Sequence, residues 1–530
     1  MKRSRIALVA TAVVALPMAA GGFMLQRREA TDAARLFAQV FARIAADAVD
    51  SVAPDAMYEK AARGLVKSLN DPYADLYSPQ ELSSFSRNSL GNSYGGVGML
   101  IEDQQGTFAV AKVYPHTPAE AGGVQLGDRI VSVNGVSTSG LKLEGVSGRL
   151  TGTPGSTVRV TFARGGVDQP IESNFTRAVV HIPAVPFAVM LDDRVGYIPV
   201  QKFNETSGGE VETALRQLAG EGARSFILDL RGNGGGDFDE SLRMANLFLK
   251  RGQDIVTVRS RSTVPVVSRA EDEPIVPEAP LVVLTDGYTA SASEIVAGAL
   301  QDHDRGVIIG TTSFGKGLVQ SLFTLEGGWG LKMTTGKWYT PSGRSIQRER
   351  KLLEDGRLVE VVPDSLETDS VRKARPAFKS DGGRLVYGGG GITPDVIVPA
   401  DTITDAQQTF LKALAPKSQE SYLVLYRTAL EQKGAVQPSF TVPQAWRDSV
   451  YVRLTRAGVQ ITRPAFDAAH ELVDRDLERR VASMTFGDSS AFRRTVAYDT
   501  QLKRAVELLH NAGTQRDLLA AATQPHPRSE

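Results

Sequence analysis

The chain has no cysteine among its 530 residues, and this absence removes whole classes of chemistry. Disulfide bridges, thiolate nucleophiles and cysteine-based metal sites are excluded. The formal net charge is zero, with 60 basic and 60 acidic residues, so the basic surface typical of a nucleic-acid-binding protein is not indicated. Histidine is also scarce, since only six occur. The protein must therefore rely on a packed core, and its length predicts several domains.

The N-terminus carries the pattern of an export signal. Three basic residues lie before an apolar run over residues 6–25, and Arg27 and Arg28 follow it. Residues 1–28 are either a signal peptide cleaved near 19–22 or an uncleaved anchor, because the run approaches the ~20 residues that span a bilayer. The basic flank predicts that the N-terminus stays inside. We expect the rest of the chain in the periplasm or cell envelope, attached to the inner membrane if the segment is uncleaved.

The remainder of the chain divides into four regions that differ in their pattern of apolar, charged and glycine residues. Residues 29–88 carry apolar positions at spacings of three and four, which predicts a small helical region. Residues 89–168 show short strands separated by glycine turns. Residues 169–400 alternate strands and helices, which predicts an α/β core with a charged insertion at about 348–390. Residues 401–530 carry amphipathic patterns and predict a helical C-terminal region.

The stretch DGYTASASEIVAGALQD at 286–302 has the pattern of a strand-to-helix turn. It follows the apolar run LVVL and leads into a helical pattern. Ser291 and Ser293 both lie in this turn, where a serine can be presented as a nucleophile. A serine hydroxyl is a poor nucleophile without a base. The residues alone therefore leave open which serine reacts and which group takes its proton.

Histidine and lysine are the two candidate bases. His181 and His303 remain once the histidines of the terminal helices, the tail and a tight turn are set aside. Lys316 is the alternative, since it lies between two glycines in TTSFGKGLVQ. A free lysine has a pKa of about 10.4, and burial in an apolar pocket can lower that pKa enough to give a neutral amine. Gln320 could orient the amine or simply face water.

Two glycine-rich segments are candidate backbone sites. RGNGGG at 231–236 follows the apolar run FILDL and can present N–H groups to an oxyanion. It lacks the spacing of a phosphate-binding or dinucleotide-binding loop. YGGVGM at 94–99 precedes a strand and can capture a C-terminal carboxylate, beside an edge to which an extended peptide can add. Each segment is also compatible with an ordinary structural turn.

In combination, these motifs resemble those of the C-terminal processing peptidases, or tail-specific proteases, over roughly residues 30–400. The motifs are, in chain order, LNDPYADLYSPQEL, GVGM with GGVQLGDRIVSVNG, VGYIPVQKFNE, FILDLRGNGGG, TASASEIVAGALQD, SFGKGLVQ, WYTPSGRSIQ and GGGITPDVIV. The resemblance implies a multidomain α/β protein in which a small β-barrel-like PDZ domain precedes a crotonase- or ClpP-like serine protease core. With the helical regions at both ends, this is the predicted fold. No cofactor and no metal are implied.

The resemblance also implies a role for each residue of the serine turn. Ser291 would be the nucleophile, Lys316 its base, and Gln320 the group that orients the lysine. Ser293 would be a small packing residue near the start of the helix. Glu294 would give structural support. The reaction implied is peptide-bond hydrolysis through an acyl-enzyme on Ser291.

Backbone groups would complete both sites. The oxyanion hole would use the N–H of Ala292 with one from Gly235 or Gly236. The peptide-binding residues that the resemblance implies are Gly96, Val97, Gly98 and Met99. One departure from the family pattern is Thr151, which lies where the family has an arginine. If that arginine couples peptide binding to activation, we expect this protein either to be coupled differently or to be less tightly gated.

We therefore predict an exported serine endopeptidase that recognises the C-terminus of protein or peptide substrates, chiefly tails with apolar ends. Nucleic acid is not an expected partner. If the chain forms homo-oligomers, the amphipathic N-terminal helix and the C-terminal helical region are where self-association is expected. Two other classes stay open: a non-catalytic PDZ scaffold that binds exported protein tails, and a carboxylate-binding enzyme of another reaction class on the same core.

Overall fold

The computed structural model of this chain describes residues 32–86, 91–104, 106–164, 167–192, 194–352, 358–360, 371 and 373–523. The export segment predicted for residues 1–28, with its apolar run at 6–25, lies outside these residues. Within the described ranges, no helix combines the length and apolar character needed to cross a bilayer. The chain divides into two compact units, one formed by the residues up to Pro79 with Ser321–Thr334 and the other by the rest.

The first unit is a helix pair with a short strand pair. Its elements are helix α1 (32–47), helix α2 (Pro54–Lys67), strand β1 (Asp75–Tyr77) and the first part of strand β18 (Gly330–Tyr339). Phe41 of α1 stacks on Tyr58 of α2, with ring centroids 4.3 Å apart. Arg63 of α2 donates to the carbonyl of Leu76 in β1 (2.7 Å). β1 pairs antiparallel with the start of β18.

The second unit opens with a six-stranded β-sheet, a separate pair of strands and three short helices. The elements are α3 (Pro79–Phe85), β2 (Ser93–Gly96), β3 (Met99–Asp103), β4 (Phe108–Val113), α4 (Pro118–Ala121), β5 (Arg129–Val133), β6 (Val136–Ser137), α5 (Leu143–Leu150), β7 (Thr157–Ala163), β8 (Ile171–Thr176) and β9 (Ala178–His181). The sheet order is β3-β4-β5-β7-β8, with β6 on β5. Alternate residues of β7, namely Val158, Val160 and Phe162, are buried beneath α5 and α4 in one apolar core. The sheet continues past position 168, since β8 pairs with β7 along its whole length.

A parallel sheet forms the centre of the α/β core. The core elements are β10 (Val189–Met190), β11 (Val195–Pro199), α6 (Ser207–Gly220), β12 (Ser225–Asp229), α7 (Phe238–Asn246), β13 (Asp254–Ser260), β14 (Val266–Arg269), β15 (Leu281–Thr285), α8 (Ala292–Asp302), β16 (Val307–Gly310), β17 (Leu318–Thr324), β18, β19 (Arg350–Leu352), β20 (Leu358–Glu360), β21 (Ala377–Lys379), β22 (Leu385–Tyr387) and β23 (Val396–Ile397). The sheet order is β10-β11-β12-β15-β16-β23, and all neighbours except β10 and β11 are parallel. The predicted insertion contains the β19–β20 and β21–β22 hairpins.

Both faces of the parallel sheet are covered, which explains its continuous apolar runs. Successive residues of a strand point to opposite faces. Leu228 and Val283 therefore pack beneath α6, α7 and α8, whereas Ile227 and Val282 face the other way. The second face is covered by two helices from the end of the chain, α15 (Thr500–His510) and α16 (Gln515–Ala522). The C-terminal region thus supplies a whole layer of the core.

The rest of the C-terminal region forms a helical cluster with its own apolar core. Its helices are α9 (Asp405–Leu414), α10 (Ser418–Glu431), α11 (Gln444–Arg456), α12 (Arg463–Ala468), α13 (His470–Phe486) and α14 (Asp488–Thr495). Helices α9 to α13 share this core, whereas Phe492 of α14 packs in the core on the second face of the parallel sheet. α10 also contacts the β3–β4 hairpin. The Tyr422 hydroxyl donates to Glu102 of β3 (2.8 Å), and the buried Tyr426 hydroxyl donates to the carbonyl of Val110 (3.2 Å). The helical cluster therefore contacts the outer side of the first β-sheet.

Candidate active site

Three loops leave the carboxyl ends of three adjacent parallel strands. Residues 231–236 follow β12, residues 286–291 follow β15, and residues 311–317 follow β16. In an open α/β sheet this edge is where ligands bind. The glycine-rich segment, the serine turn and the lysine segment therefore meet for topological reasons, although they are far apart in sequence.

Ser291 lies at a strained backbone turn between β15 and α8. Its φ is 56° and its ψ is −115°, a region that side chains other than glycine rarely adopt and that costs roughly 1–3 kcal/mol. A sharp strand-to-helix turn of this kind presents a serine hydroxyl above the sheet edge. Ser291 is partly exposed, whereas the rest of α8 after it is buried.

Ser293 has a different environment. Its side chain is fully buried, and its hydroxyl donates to the carbonyl of Asn233 (3.0 Å). The same carbonyl accepts the N–H of Ala290 (3.0 Å). Ser293 therefore joins the serine turn to the glycine-rich segment, while Ser291 keeps an accessible position.

The glycine-rich segment lies directly against the serine turn. Gly235 has φ 89°, and a Cβ built on it would lie 2.6 Å from the carbonyl oxygen of Ala290 and 2.9 Å from the nitrogen of Ala292. Only glycine fits at this distance. The N–H of Gly235 donates to the side chain of Asn233 (2.9 Å). Gly236 pairs with Phe203 as a single parallel bridge, which fixes the end of the segment.

Glu294 joins the serine turn to the lysine segment. This carboxylate is completely buried in the first turn of α8. One oxygen, Oε2, accepts the backbone N–H of Ser291 (2.8 Å) and the backbone N–H of Lys316 (2.9 Å). Because both bonds end on one atom, the two nitrogens lie within about 6 Å of each other. The carboxylate thus holds the backbones of Ser291 and Lys316 close together.

The other oxygen of Glu294 fixes the start of the lysine segment. Oε1 accepts the N–H of Gly315 (2.6 Å) and the hydroxyl of Ser313 (2.5 Å). The Ser313 hydroxyl in turn accepts the N–H of Ile392 (2.7 Å), which directs its proton to Glu294. Burial raises the pKa of Glu294, and these hydrogen bonds, with those from Lys316 and Ser291, oppose that shift.

Lys316 and Gln320 lie on the segment that leads from this carboxylate into β17. The carbonyl of Lys316 accepts the indole N–H of Trp338 (3.1 Å), a side chain that is almost fully buried. Both Lys316 and Gln320 are partly buried. The backbone of Lys316 is therefore held on two sides, by Glu294 and by Trp338.

The two candidate histidines are engaged elsewhere. The ring of His181 contacts Glu210 of α6 (2.9 Å). His303 caps the far end of α8, and its ring contacts Asp381 (2.7 Å) and the carbonyl of Asp254 (2.7 Å). An 11-residue helix is about 16 Å long, so His303 is remote from Ser291. In the described ranges, no group of three or more histidine, aspartate or glutamate side chains is arranged to hold a metal.

A second candidate site lies at the edge of the first β-sheet. β3 ends the sheet order, with β4 as its partner, so one side of its backbone is open to an added strand. Gly96, Val97, Gly98 and Met99 lead into this edge. Val97 and Met99 point into the apolar core and are buried, so this segment can offer a ligand backbone N–H groups rather than these two side chains.

Helix α5 forms the other wall of this edge, and a buried arginine holds its end. Arg177 donates to the carbonyls of Arg149 (2.8 Å) and Leu150 (3.0 Å) in the last turn of α5. The hydroxyl of Thr151, the C-cap residue of α5, donates to the carbonyl of Ser147 (3.1 Å). The position where the family pattern has an arginine is thus part of the cap of α5.

Two residues of the site lie outside the sequence predictions. Asn233 is fully buried, and its amide also donates to the carbonyl of Val200 (2.8 Å). Ser313 bridges Glu294 and Ile392, as described above. For Asn233, the sequence does offer a local indication, namely an asparagine between two glycines directly after a buried strand. Ser313 has no local signal, because its role depends on contacts far away in sequence.

Comparisons with known proteins agree with this arrangement. The peptidase family S41 model matches residues 194–358, and a PDZ domain model matches residues 110–164. The chain is 32% identical over 311 residues to the carboxy-terminal processing protease CtpA of Bacillus subtilis (strain 168), covering 59% of this chain and 66% of that protein. It is 34% identical over 316 residues to the carboxy-terminal-processing protease of Bartonella bacilliformis, with 59% and 72% covered. For the carboxyl-terminal-processing protease of Picosynechococcus sp., the identity is 35% over 299 residues, with 56% and 71% covered.

A PDZ domain joined to an α/β core with a strained serine turn is the architecture of a PDZ-containing serine-type peptidase. The chain belongs to peptidase family S41, whose curated relatives are carboxy-terminal processing proteases. It spans about two thirds of the length of the Bacillus subtilis relative. The family and the mixed α/β fold predicted from the motifs are confirmed.

Proposed function

We propose that the chain is an exported endopeptidase that cleaves polypeptides with a Ser291–Lys316 dyad and selects them by their C-termini through its PDZ domain. The observation that carries the dyad is the shared Glu294 oxygen, which bonds the N–H groups of Ser291 and Lys316. The proposal that the chain is exported is supported by the apolar run at residues 6–25 and its basic flanks.

In the proposed mechanism, Lys316 acts as a neutral amine. Its Nζ removes the proton of Ser291 Oγ as Oγ attacks the carbonyl carbon of the scissile bond. The protonated amine then gives that proton to the leaving nitrogen, and the C–N bond breaks. Water repeats the sequence on the acyl-enzyme, which releases the second product and restores both groups. Gln320 orients the amine.

Backbone N–H groups stabilise the oxyanion in this scheme. The N–H of Ala292 lies in the first turn of α8, where backbone donors have no partner within the helix. The second donor comes from Gly235 or Gly236. The Gly235 N–H already donates to Asn233, which favours Gly236 for this role. One such donor is typically worth about 3 kcal/mol in the transition state.

The PDZ domain binds the substrate tail at the open edge of β3. The segment Gly96–Met99 receives the terminal carboxylate, and the extended chain pairs with the strand. Leu100 of β3 is half exposed, and α5 forms the opposite wall. Holding the tail there raises the local concentration of the chain at Ser291.

A cleavage assay with the full chain tests this function. Wild type, Ser291→Ala and Lys316→Met would be incubated with a disordered polypeptide that ends in either apolar or charged residues, and the products weighed by mass spectrometry. Methionine keeps most of the length of lysine without its amine. We expect cleavage by wild type alone, and faster cleavage of the apolar tail.

Other outcomes contradict separate parts of the proposal. Cleavage that survives Lys316→Met would reject lysine as the base. Equal rates for the two tails would reject capture of apolar ends by the PDZ domain. If no variant cleaves but the tail still binds, the chain is a scaffold for exported protein tails rather than a peptidase.

A further inference from the structure

Arg231 begins the glycine-rich segment that lies against Ser291, and all five of its side-chain N–H groups are engaged. Nε donates to Asp229 (3.0 Å) and Nη2 to Asp229 (2.6 Å) and Asp499 (2.8 Å). Nη1 donates to Asp499 (3.0 Å) and Gln501 (3.0 Å). A guanidinium has five such donors, so Arg231 is fully held by three side chains.

Two of these three partners come from the far end of the chain. Asp499 and Gln501 lie at the start of α15, 268 and 270 residues from Arg231. They also lie outside residues 194–358, which match the family model, and beyond the motifs that carry the resemblance. The glycine-rich segment is therefore fixed in part by a region with no family motif.

Asp499 and Gln501 are themselves held firmly. The Asp499 carboxylate accepts the N–H of Leu502 (2.9 Å) and so caps α15. The Gln501 amide donates to the carbonyl of Val398, just after β23 (2.8 Å), and its side chain is almost fully buried. The bidentate pair of Arg231 with Asp499 is about one fifth exposed on both sides, so water screens it weakly.

The Arg231–Asp499 pair is connected through side chains to the layer that covers the second face of the parallel sheet. The Tyr197 hydroxyl donates to Asp229 (2.7 Å), and its ring stacks on Phe492 of α14, with centroids 4.2 Å apart. Beyond Arg231, the N–H of Gly232 donates to Asp286 of the serine turn (3.0 Å). Side chains of the C-terminal region thus connect through Arg231 to the segment whose glycines lie against Ser291.

We propose that Asp499 and Gln501 are positioning residues for peptide-bond hydrolysis, acting by holding Arg231 so that the glycine-rich segment presents its N–H groups at Ser291. This inference rests on the proposed peptidase function. It assigns to the C-terminal helical region a part in catalysis. Displacement of a catalytic group by about 1 Å can cost on the order of 100-fold in rate, whereas substrate held at the PDZ edge should bind as before.

The test compares Asp499→Asn with Asp474→Asn in the full chain. Asparagine caps a helix as well as aspartate does, so Asp499→Asn keeps the start of α15 and removes one of the two carboxylate charges that hold Arg231, the other being that of Asp229. Asp474 forms a bidentate pair with Arg447 (2.7 and 2.6 Å) inside the C-terminal cluster, and its loss controls for a broken ion pair of the same kind. Steady-state kcat and KM and the thermal unfolding midpoint would be measured for each.

We expect Asp499→Asn to lower kcat by roughly 10- to 100-fold with KM within about twofold, and Asp499→Glu to recover part of the loss. Asp474→Asn should leave kcat within about twofold of wild type. Equal kcat for Asp499→Asn and wild type would overturn the inference and leave the peptidase function intact. Equal losses for the two asparagine variants would overturn it as well, because the effect would then be one of general stability. If wild type itself does not cleave, the peptidase function and the inference fall together.

Discussion

The two six-stranded β-sheets of the second unit, the first sheet in the PDZ domain (the PDZ sheet) and the parallel sheet in the protease core, use their backbones in opposite ways. The PDZ sheet leaves one side of β3 open, next to the glycine segment that precedes it. In the parallel sheet, each central strand is paired on both sides, and helices cover both faces of the sheet. Binding of an extended peptide needs free backbone groups, whereas catalysis needs side chains held at fixed positions in a dry environment.

This difference predicts which kinetic constant, kcat or KM, a substitution in each sheet changes. In the core, the groups that hold the serine turn are themselves fully buried: Asn233, Ser293, Glu294 and Ser313. Loss of Asn233, Glu294 or Ser313 should lower kcat. At the PDZ edge, the proposed binding uses backbone groups, so changes there should raise KM and leave the chemistry intact.

The largest expected effect separates the two serines of the turn. Ser291→Ala should reduce kcat at least about 10⁴-fold, as loss of a nucleophile does, while tail binding stays unchanged. Ser293→Ala should keep cleavage and lower the free energy of unfolding by roughly 1 kcal/mol, because it removes one buried hydrogen bond. Kinetics and urea unfolding of both variants measure this. Loss of cleavage in Ser293→Ala alone would reverse the assignment.

The next effect concerns the shared carboxylate. Glu294→Gln replaces one acceptor oxygen by an amide that faces N–H or O–H donors, so hydrogen bonds to two of its four donors are lost. We expect kcat to fall by roughly 100- to 1,000-fold and the free energy of unfolding by about 3 kcal/mol or more. Glu240→Gln is the matched control, since Glu240 is a buried carboxylate of α7 that bonds the N–H of Gly208 (2.7 Å). Near-normal kcat in Glu294→Gln would contradict the role of this carboxylate in holding Ser291 beside Lys316.

The PDZ edge should respond through KM. Gly98 has φ 90°, and a Cβ on it would lie 2.2 Å from Thr117, so Gly98→Ala must distort the segment that we propose receives the carboxylate. We expect KM for apolar-tailed substrates to rise roughly tenfold, or about 1.4 kcal/mol of binding, with kcat little changed. Gly140→Ala, at φ 77° with no atom within 4 Å of the added Cβ, controls for backbone strain. A fall in kcat without a rise in KM would contradict the division between the two sheets.

The pH dependence of stability tests the charge state of Glu294. Burial raises its pKa, so its contribution to stability is fully present below the unfolded value of about 4.3 and is lost as the pH rises through the folded value. Gln has no such titration. The stability gap between wild type and Glu294→Gln should therefore be larger near pH 4 than at pH 8, as measured by urea unfolding. A stability gap that widens towards alkaline pH would mean that the four hydrogen bonds lower the pKa of Glu294 by more than burial raises it.

The smallest effect concerns the contact of the PDZ sheet with the C-terminal cluster. Lys112 of β4 bonds Asp488 of α14 (2.6 Å), and both are more than a third exposed. Burial acts to raise the pKa of Asp488, but Lys112 and Ser483 lower it overall. Its stabilising contribution is thus present above the unfolded value of about 3.9 and is lost as the pH falls through the folded value. We expect Asp488→Asn to cost less than about 1 kcal/mol at pH 7 and nothing near pH 2; an equal cost at both pH values would contradict this.

Local sequence signals account for much of this architecture. The apolar runs FILDL and LVVL predict buried strands, the alternation of strands and helices predicts the α/β core, and the serine and glycine turns mark the edge at which they meet. Continuous apolar runs also indicate a sheet that is covered on both faces. The element that covers the second face, α15 with α16, has no such local signal.

The contacts that hold the site together are the part that the sequence leaves open. Glu294 reads as an ordinary first-turn acid of a helix, and nothing near it indicates that its oxygens bond the lysine segment. Arg231 and Asp499 are 268 residues apart, and helical periodicity carries no information about partners at that distance. These contacts depend on which loops the parallel topology brings to one sheet edge.

The most direct test of the account is to trap the acyl-enzyme. The full chain, as wild type and Lys316→Met, would be treated with an activated ester of a short peptide, and the adduct located by mass spectrometry after proteolysis. We predict one adduct on Ser291 in wild type and at least about 100-fold slower labelling in Lys316→Met, since the base contributes that much or more to proton transfer. An adduct on another residue, or equal labelling rates in both proteins, would contradict the claim that Ser291 and Lys316 act as a pair.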